Sequence, residues 1–389
     1  MLPNKKPGPW LIVARGRGSN TGSQFPWTPP NPSFNNTDLA SPMDPTIFDR
    51  ERHLAFLERM LERLPEDYES QEINRLTIAY FVISSLALLD ALDRVNKDQL
   101  VSWVLSFQFH PSNDSDLKNG QFYGFGGSTP ASAFIDDEPA SGNNCSHLAS
   151  TYCALAILKV VGYSFSDSNF ELILVSMREL QLPDGSFMPT HTGAEADLRF
   201  IYCAVAICFM LNNWTGMDKL KAREYILKCQ SYDGGFGLVP GAESHGGATY
   251  CAVAALHLMG YMETGIISKL SQTLAIDMPL LVEWSLQRQS VDGGFQGRAN
   301  KPSDTCYAFW VGGVLKLLGG YQFCNKEALR SFLLSCQSKF GGFKKFPDII
   351  YPDLYHSFYG FSALSLLQEP GLKPLQVELG IPYISGAGI

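Results

Sequence analysis

Gln230-Ser-Tyr-Asp-Gly-Gly-Phe236 is the stretch on which the fold turns, because the chain returns to it. Gln181-Leu-Pro-Asp-Gly-Ser-Phe187 and Gln289-Ser-Val-Asp-Gly-Gly-Phe295 repeat it, and Gln337-Ser-Lys-Phe-Gly-Gly-Phe343 keeps the pattern without the Asp. Each copy follows an amphipathic stretch such as Asp218 to Cys229, and a glycine placed there can take the positive φ that ends a helix. A second kind of helix follows each copy, apolar on all sides: Tyr202-Cys-Ala-Val-Ala, Tyr250-Cys-Ala-Val-Ala, Tyr307-Ala-Phe-Trp-Val and Tyr359-Gly-Phe-Ser-Ala, with Tyr152-Cys-Ala-Leu-Ala as an earlier copy. These tyrosines stand 48 to 57 residues apart. A helix apolar all round must be buried, whereas an amphipathic one can turn its polar face to water. The sequence therefore predicts an all-α array of alternating outer and inner helices with little β structure. Periodicity alone leaves open whether the array is an open solenoid or a closed ring.

The chain has 389 residues, with 30 Lys plus Arg against 38 Asp plus Glu and a formal charge of −8. A net acidic chain is not expected to bind nucleic acid, although a local basic patch remains compatible with it. Hydrophobic residues make up 45% and charged residues 17%, a balance that buries a large core. The length by itself allows two or three domains, and the repeats replace that with one array. The longest apolar run, Phe200 to Leu211, falls short of the ~20 residues of a bilayer-spanning helix, so no transmembrane segment is predicted. Nine cysteines with no CxxC pair, mostly within apolar helical runs, read as reduced thiols of a cytoplasmic protein. Residues 1–45 are rich in Pro, Gly and Ser and read as a disordered extension. The array is expected over 46–372, with an irregular tail over 373–389.

Each repeat's tyrosine serves as a ruler for the unusual residues. Arg199, Asp304 and His356 stand three residues before theirs, His147, Asp197 and His245 five before, and Cys306 one before. In an array of equivalent helices these positions share one rim, where helix N-termini favour anions. Asp304 and Cys306 can ligate a metal together only if the chain between them is not yet regular helix, since positions i and i+2 diverge by ~200° on a helix. Pro302 makes a helix start plausible there, and His356 is the natural third ligand. Asp, Cys and His fit Zn²⁺ with one coordination position open. The bland alternative is a Cys that merely packs at the start of a buried helix. His245, Arg298 and Lys301, with the hydroxyl of Tyr307, form a second, cationic group suited to a phosphorylated ligand, set against the alternative of solvated charges paired with carboxylates.

The Gln-x-x-Asp-Gly-Gly-Phe repeats, Gly297-Arg-Ala-Asn-Lys-Pro-Ser-Asp-Thr-Cys-Tyr-Ala-Phe-Trp310 and Asp353-Leu-Tyr-His356 resemble the β subunits of protein prenyltransferases over about residues 49–367. The resemblance implies an α/α toroid, a closed barrel of inner and outer helices around an apolar cavity. It implies that Asp304, Cys306 and His356 hold one Zn²⁺ and are the catalytic centre, where a substrate cysteine becomes a thiolate and attacks C1 of an isoprenoid diphosphate. His245, Arg298, Lys301 and Tyr307 match the diphosphate-binding residues, and His147, Glu195 and Arg199 match positions around the peptide carboxylate. Within the family, Ser70-Gln-Glu-Ile73-Asn-Arg-Leu-Thr77-Ile-Ala-Tyr-Phe81 looks like the geranylgeranyltransferase type I branch, with Thr77 small where farnesyl enzymes carry Trp. Lys345 resembles the type I residue that stands in for Mg²⁺ at the diphosphate, so Mg²⁺ is not expected to be required. Tyr355 is the farnesyl-type residue, and with Thr77 and Phe81 it is expected in the isoprenoid pocket. The family further implies an obligate helical α subunit, geranylgeranyl diphosphate as donor, and C-a-a-X proteins such as small GTPases as acceptors. The readings kept beside this one are a farnesyltransferase-like or Rab-type β subunit and a non-catalytic helical-repeat scaffold.

Overall fold

The computed structural model describes residues 44, 46–65, 68, 73–110, 123–127, 134–135, 138–139, 145–166, 169–262 and 276–384. The predicted extension 1–45, apart from Asp44, lies outside the described residues.

Six inner helices are built almost wholly of buried residues: α2 (Arg75–Leu88), α4 (Leu148–Val160), α6 (Leu198–Met210), α8 (Gly246–Leu258), α10 (Thr305–Leu318) and α12 (Leu354–Leu366). The other helices, α1 (Arg50–Glu62), α3 (Lys97–Leu105), α5 (Asn169–Arg178), α7 (Lys219–Lys228), α9 (Met278–Leu286) and α11 (Lys326–Ser335), bury only one face. Each inner helix packs on the next, and α12 packs back on α2, so the array is a closed ring. The all-α toroid expected from the resemblance is thus the observed architecture. Three two-stranded pairs, two residues per strand, are the strands among the described residues.

The repeated loop explains how the units join. In each copy the Gln and Phe form an antiparallel bridge, and the Gln side chain clips the start of the next outer helix. Gln181 accepts from Asp218 N at 2.7 Å and donates to Asp218 O at 3.0 Å. Gln230 does the same at Asp277 and Gln289 at Asn325. Gln337 closes the circle on the other end of the chain, accepting from Asp49 N and donating to Ile47 O, both at 3.0 Å. Asp218, Asp277, Asn325 and Asp49 are N-caps whose side chains also bind the first turn of their own helices. The first glycine of each loop has φ between +81° and +98°, and at Gly185 and Gly341 a Cβ would come within 2.1 Å of the backbone oxygen of Lys221 and Arg52. Any side chain there would push the next helix away.

Two departures from the repeat have local causes. In the second and third copies the Asp accepts from the loop's Gly N–H and a serine hydroxyl, as Asp292 does from Gly294 and Ser303. The fourth copy, with Phe340 in that place, is instead tied down by α1, whose Arg52 and Arg59 donate to the carbonyls of Lys339 and Phe340. A further copy escapes the sequence pattern because 14 residues separate its halves. Gln108 pairs with Phe125 in the same Gln to Phe arrangement, with Gly124 before it.

Residues 375–382 are not peripheral. Leu375–Gln376 and Ile381–Pro382 pair around a turn, Val377, Leu379 and Ile381 are buried, and the turn enters the ring from the end opposite the helix N-termini. No period or motif marks this segment, since its partners are side chains of helices far away in sequence.

His53 of α1 is fully buried, stacked on Phe343 with centroids 4.9 Å apart. Its Nε2 bonds Gln337 Oε1 and its Nδ1 accepts from Gly342 N, each at 2.8 Å. Burial pushes its pKa down to about 4 from 6.5. A base whose folded pKa is depressed leaves the native state short of a proton, so its stability is complete above pH 6.5 and is lost as pH falls towards 4, by about 3 kcal/mol for this group. Denaturant melts at pH 7 and 4.5 should show that loss, and His53→Gln should remove its share of the slope; an unchanged slope would clear His53 of the effect. Gln337→Ala strips partners from three groups and should cost about 2 kcal/mol or more in urea unfolding. A cost below about 0.5 kcal/mol would show that the ring closes without this clip.

Candidate active site

The helix starts of the inner ring present polar side chains because an N-cap must be polar. His147, Asp197, His245, Asp304 and Asp353 cap α4, α6, α8, α10 and α12, each accepting from an N–H two or three residues on. Of these caps His147, Asp304 and Asp353 line the mouth of a cavity of about 1450 Å³, whereas Asp197 and His245 stand behind the lining residues Arg199 and Tyr307 that they hydrogen-bond.

Asp304, Cys306 and His356 meet there. Each offers a ligand atom, and the three atoms lie within 4.8 Å of one another. Asp304 has φ −143° and ψ 138°, extended rather than helical, and its Oδ1 accepts from Cys306 N at 2.9 Å. That satisfies the condition under which positions i and i+2 can share a metal. His356 Nδ1 bonds Asp353 Oδ2 at 2.6 Å, which leaves Nε2 facing Asp304 Oδ1 at 3.2 Å. Asp353, which the motif contained but sequence reasoning assigned no role, therefore sets the ring's tautomer and direction.

The electrostatics suit a cation. Burial and the neighbouring Asp304 push the Cys306 thiol well above its ordinary range. Burial opposes ionisation of Asp304, but hydrogen bonds from His356 and Cys306 N–H hold its carboxyl below the usual value. Burial likewise opposes a charged His356, and the carboxylates of Asp353 and Asp304 outweigh it and raise the imidazole to about 9. A dication can replace the protons on sulfur and nitrogen. One S, one N and one O donor with a side left open towards the cavity fit Zn²⁺.

Tyr307 lies beside this cluster, its hydroxyl 2.9 Å from His245 Nε2. His245 Nδ1 accepts from Gly247 N, so Nε2 carries the proton and donates to Tyr307. Burial, then Arg298, lowers the His245 pKa to about 4. His245 is thus a neutral donor rather than the cation expected from sequence. Lys345 Nζ stands 3.5 Å from Asp304 Oδ2. Arg298 turns outward to Glu243 at 3.0 Å, and Lys301 is exposed on the same loop. Neither lines the cavity.

His147, Glu195 and Arg199 line the opposite part of the mouth. Arg199 is clamped by Asp197 through Nε to Oδ1 at 3.0 Å and Nη2 to Oδ2 at 2.5 Å, and the exposed Glu195 is 3.9 Å away. Thr77, Phe81 and Tyr355 line the apolar wall. Cys153 Sγ donates to Thr77 Oγ1 at 3.6 Å, and Trp310 Nε1 donates to the Tyr355 hydroxyl at 3.1 Å. Sequence reasoning missed Cys153, Cys203, Cys251, Trp310 and Tyr359 as lining residues. The repeated Tyr-Cys-Ala was the signal, since the residue after each repeat tyrosine faces the cavity in three helices.

Zn²⁺ added to metal-free protein at pH 7 should raise its unfolding temperature and release protons. Competition against a chromophoric chelator should find affinity weakened about 10–100-fold in Asp353→Asn and more in Cys306→Ala. Equal affinity in Cys306→Ala would remove this cluster as the metal site.

The chain matches the family described as Prenyltransferase alpha-alpha toroid domain over residues 48–381. It is 60% identical over 342 residues to the geranylgeranyl transferase type-1 subunit beta of Arabidopsis thaliana, covering 88% of this chain and 91% of that one. The protein of the same name from Dictyostelium discoideum is 34% identical over 84% of this chain and 93% of its own. Among solved structures, the Candida albicans protein geranylgeranyltransferase-I complexed with GGPP is similar with a TM-score of 0.73 at 26% identity, over 86% of this chain and 96% of that one.

Proposed function

The chain belongs to the prenyltransferase α/α-toroid family, and from that premise we propose that it is the catalytic β subunit of a protein geranylgeranyltransferase type I. It transfers a geranylgeranyl group from geranylgeranyl diphosphate to the cysteine thiol of C-terminal C-a-a-X sequences, X mainly Leu. The observation that carries this reading is the Asp304, Cys306 and His356 cluster standing at the mouth of a large apolar cavity walled in part by Thr77.

In the transfer, the bond from the acceptor sulfur to C1 of the isoprenoid forms, the C1–O bond breaks, and diphosphate leaves with the electron pair. Zn²⁺ held by Asp304, Cys306 and His356 would supply, when bound, a fourth position that keeps the acceptor sulfur as thiolate at neutral pH. The chain's own groups then have two tasks. Tyr307, receiving a hydrogen bond from neutral His245, has its own proton free to donate to a leaving phosphate oxygen, and Lys345 brings an ammonium charge to the same mouth. Arg298 and Lys301 can join them, because an exposed pair such as Arg298 with Glu243 is worth only about 0–1 kcal/mol and a diphosphate carries more charge than one carboxylate. The Lys345 charge is the reason Mg²⁺ is not needed in this reading. His147, Glu195 and Arg199 face the acceptor's terminal carboxylate.

The reading includes an obligate α subunit and acceptors such as small GTPases. All nine cysteines are free thiols, which suits a reducing compartment, and we assign the cytoplasm. Among the described residues no helix is long and apolar enough to cross a membrane. Tyr355, a bulky ring against Phe81 at 5.8 Å, favours a second, overlapping use of farnesyl-type substrates.

The chain co-expressed with an α subunit should transfer from geranylgeranyl diphosphate to a peptide ending in Leu at least about tenfold better, in kcat/KM, than from farnesyl diphosphate to peptides ending in Ser or Met. The reverse preference would overturn the type I assignment, and binding of an α subunit without any transfer would favour a scaffold.

A further inference from the structure

Four tyrosines of the inner ring hold four consecutive carbonyls of the C-terminal turn. Tyr250 of α8 donates to Val377 O at 2.7 Å, Tyr202 of α6 to Glu378 O at 3.2 Å, Tyr152 of α4 to Leu379 O at 2.7 Å, and Tyr80 of α2 to Gly380 O at 2.5 Å. The turn makes this possible, since Leu379 N and Gly380 N both bond Gln376 O and the carbonyls fan out, one towards each helix. Burial keeps the four phenols protonated, with pKa values raised far beyond the ordinary range, so all four remain donors. Gly380 and the four rings line the cavity that opens at Asp304 and Cys306.

The position of this clamp along the barrel matters. Tyr152, Tyr202 and Tyr250 are each the fifth residue after the cap of their helix, about 7.5 Å below the mouth, in helices about 20 Å long. The turn therefore fills the lower half of the ring. We propose that residues 377–380 are specificity-determining: held in register by the tyrosine hydroxyls, they fix Gly380 and the four tyrosine rings as the floor of the cavity and so set the length of isoprenoid that fits above it. This rests on the function proposed above.

Gly380 is the sensitive point. Its φ is +63°, and a Cβ would lie 3.2 Å from the Tyr80 hydroxyl, 3.5 Å from that of Tyr152 and 3.6 Å from that of Tyr250. A methyl group there would raise the floor, whereas Tyr80→Phe releases the Gly380 carbonyl and lets the floor sink.

The test uses the full chain co-expressed with its α subunit. Transfer kinetics and diphosphate binding, read by tryptophan fluorescence, are measured with C15, C20 and C25 isoprenyl diphosphates. Gly380→Ala should shift the C20 to C15 ratio of kcat/KM about tenfold towards C15, and Tyr80→Phe should shift the C25 to C20 ratio towards C25. Equal losses with every donor, or no change of ratio in either variant, would overturn the proposal, since a purely structural tail would lower all donors alike. If Gly380→Ala does not fold, Tyr80→Phe alone decides. The ratios are scored against the unsubstituted enzyme, so a farnesyl preference in that enzyme would refute the proposed function without deciding the role of the tail.

Discussion

The side-chain amide of the repeated glutamine is the interaction from which the ring follows. An amide offers a donor and an acceptor at one end of a short arm, and Gln181, Gln230, Gln289 and Gln337 each use both on the backbone at the start of the next outer helix. Such bonds fix position and angle together, while the glycine beside them lets that helix's backbone approach to contact. Because every joint has the same geometry, each unit is rotated by a similar amount relative to the last, and a repeated rotation can return to its start. It does so at Gln337, whose partners are Ile47 and Asp49 rather than a further repeat. Helix α1 is thus the outer helix of the final unit, taken from the other end of the chain, and buried His53 seals that joint.

Closure then dictates where chemistry can occur. With the inner helices parallel, their N-caps converge on one mouth, and residues needed to cap helices become the residues that face a ligand. Asp304 caps α10 and is placed to ligate; Asp353 caps α12 and aims His356. The same burial ends in opposite shifts for two histidines at the starts of these helices. His356, between two carboxylates, is pushed up to about 9, while His245, with Arg298 nearby and no carboxylate bonded to it, falls to about 4. One is poised to exchange a proton for a metal and the other to serve as a neutral hydrogen-bond donor. The opposite end of the ring needs a stopper, and a turn whose carbonyls satisfy four buried phenols supplies it without introducing charge into an apolar cavity.

The amino-acid sequence by itself determined the alternation of outer and inner helices, because Gln-x-x-Asp-Gly-Gly-Phe and the wholly apolar segments are local patterns with local causes. It also marked Asp304, Cys306 and His356, since equivalent offsets from a repeat tyrosine become one rim in any regular stack. Ring closure was not in the pattern, as it depends on an angle accumulated over all the units. The copy at Gln108 and Phe125 was hidden by the intervening chain, and the tail by its lack of any period. Which groups carry charge was likewise beyond the sequence: His245 read as a cation and Arg298 as its partner, yet burial neutralised the first and an exposed Glu243 turned the second outward. Helices and loops follow from contacts a few residues apart, whereas closure, floor and protonation are set by groups that meet only when segments as distant as Asp49 and Gln337, or Tyr80 and Gly380, are brought together.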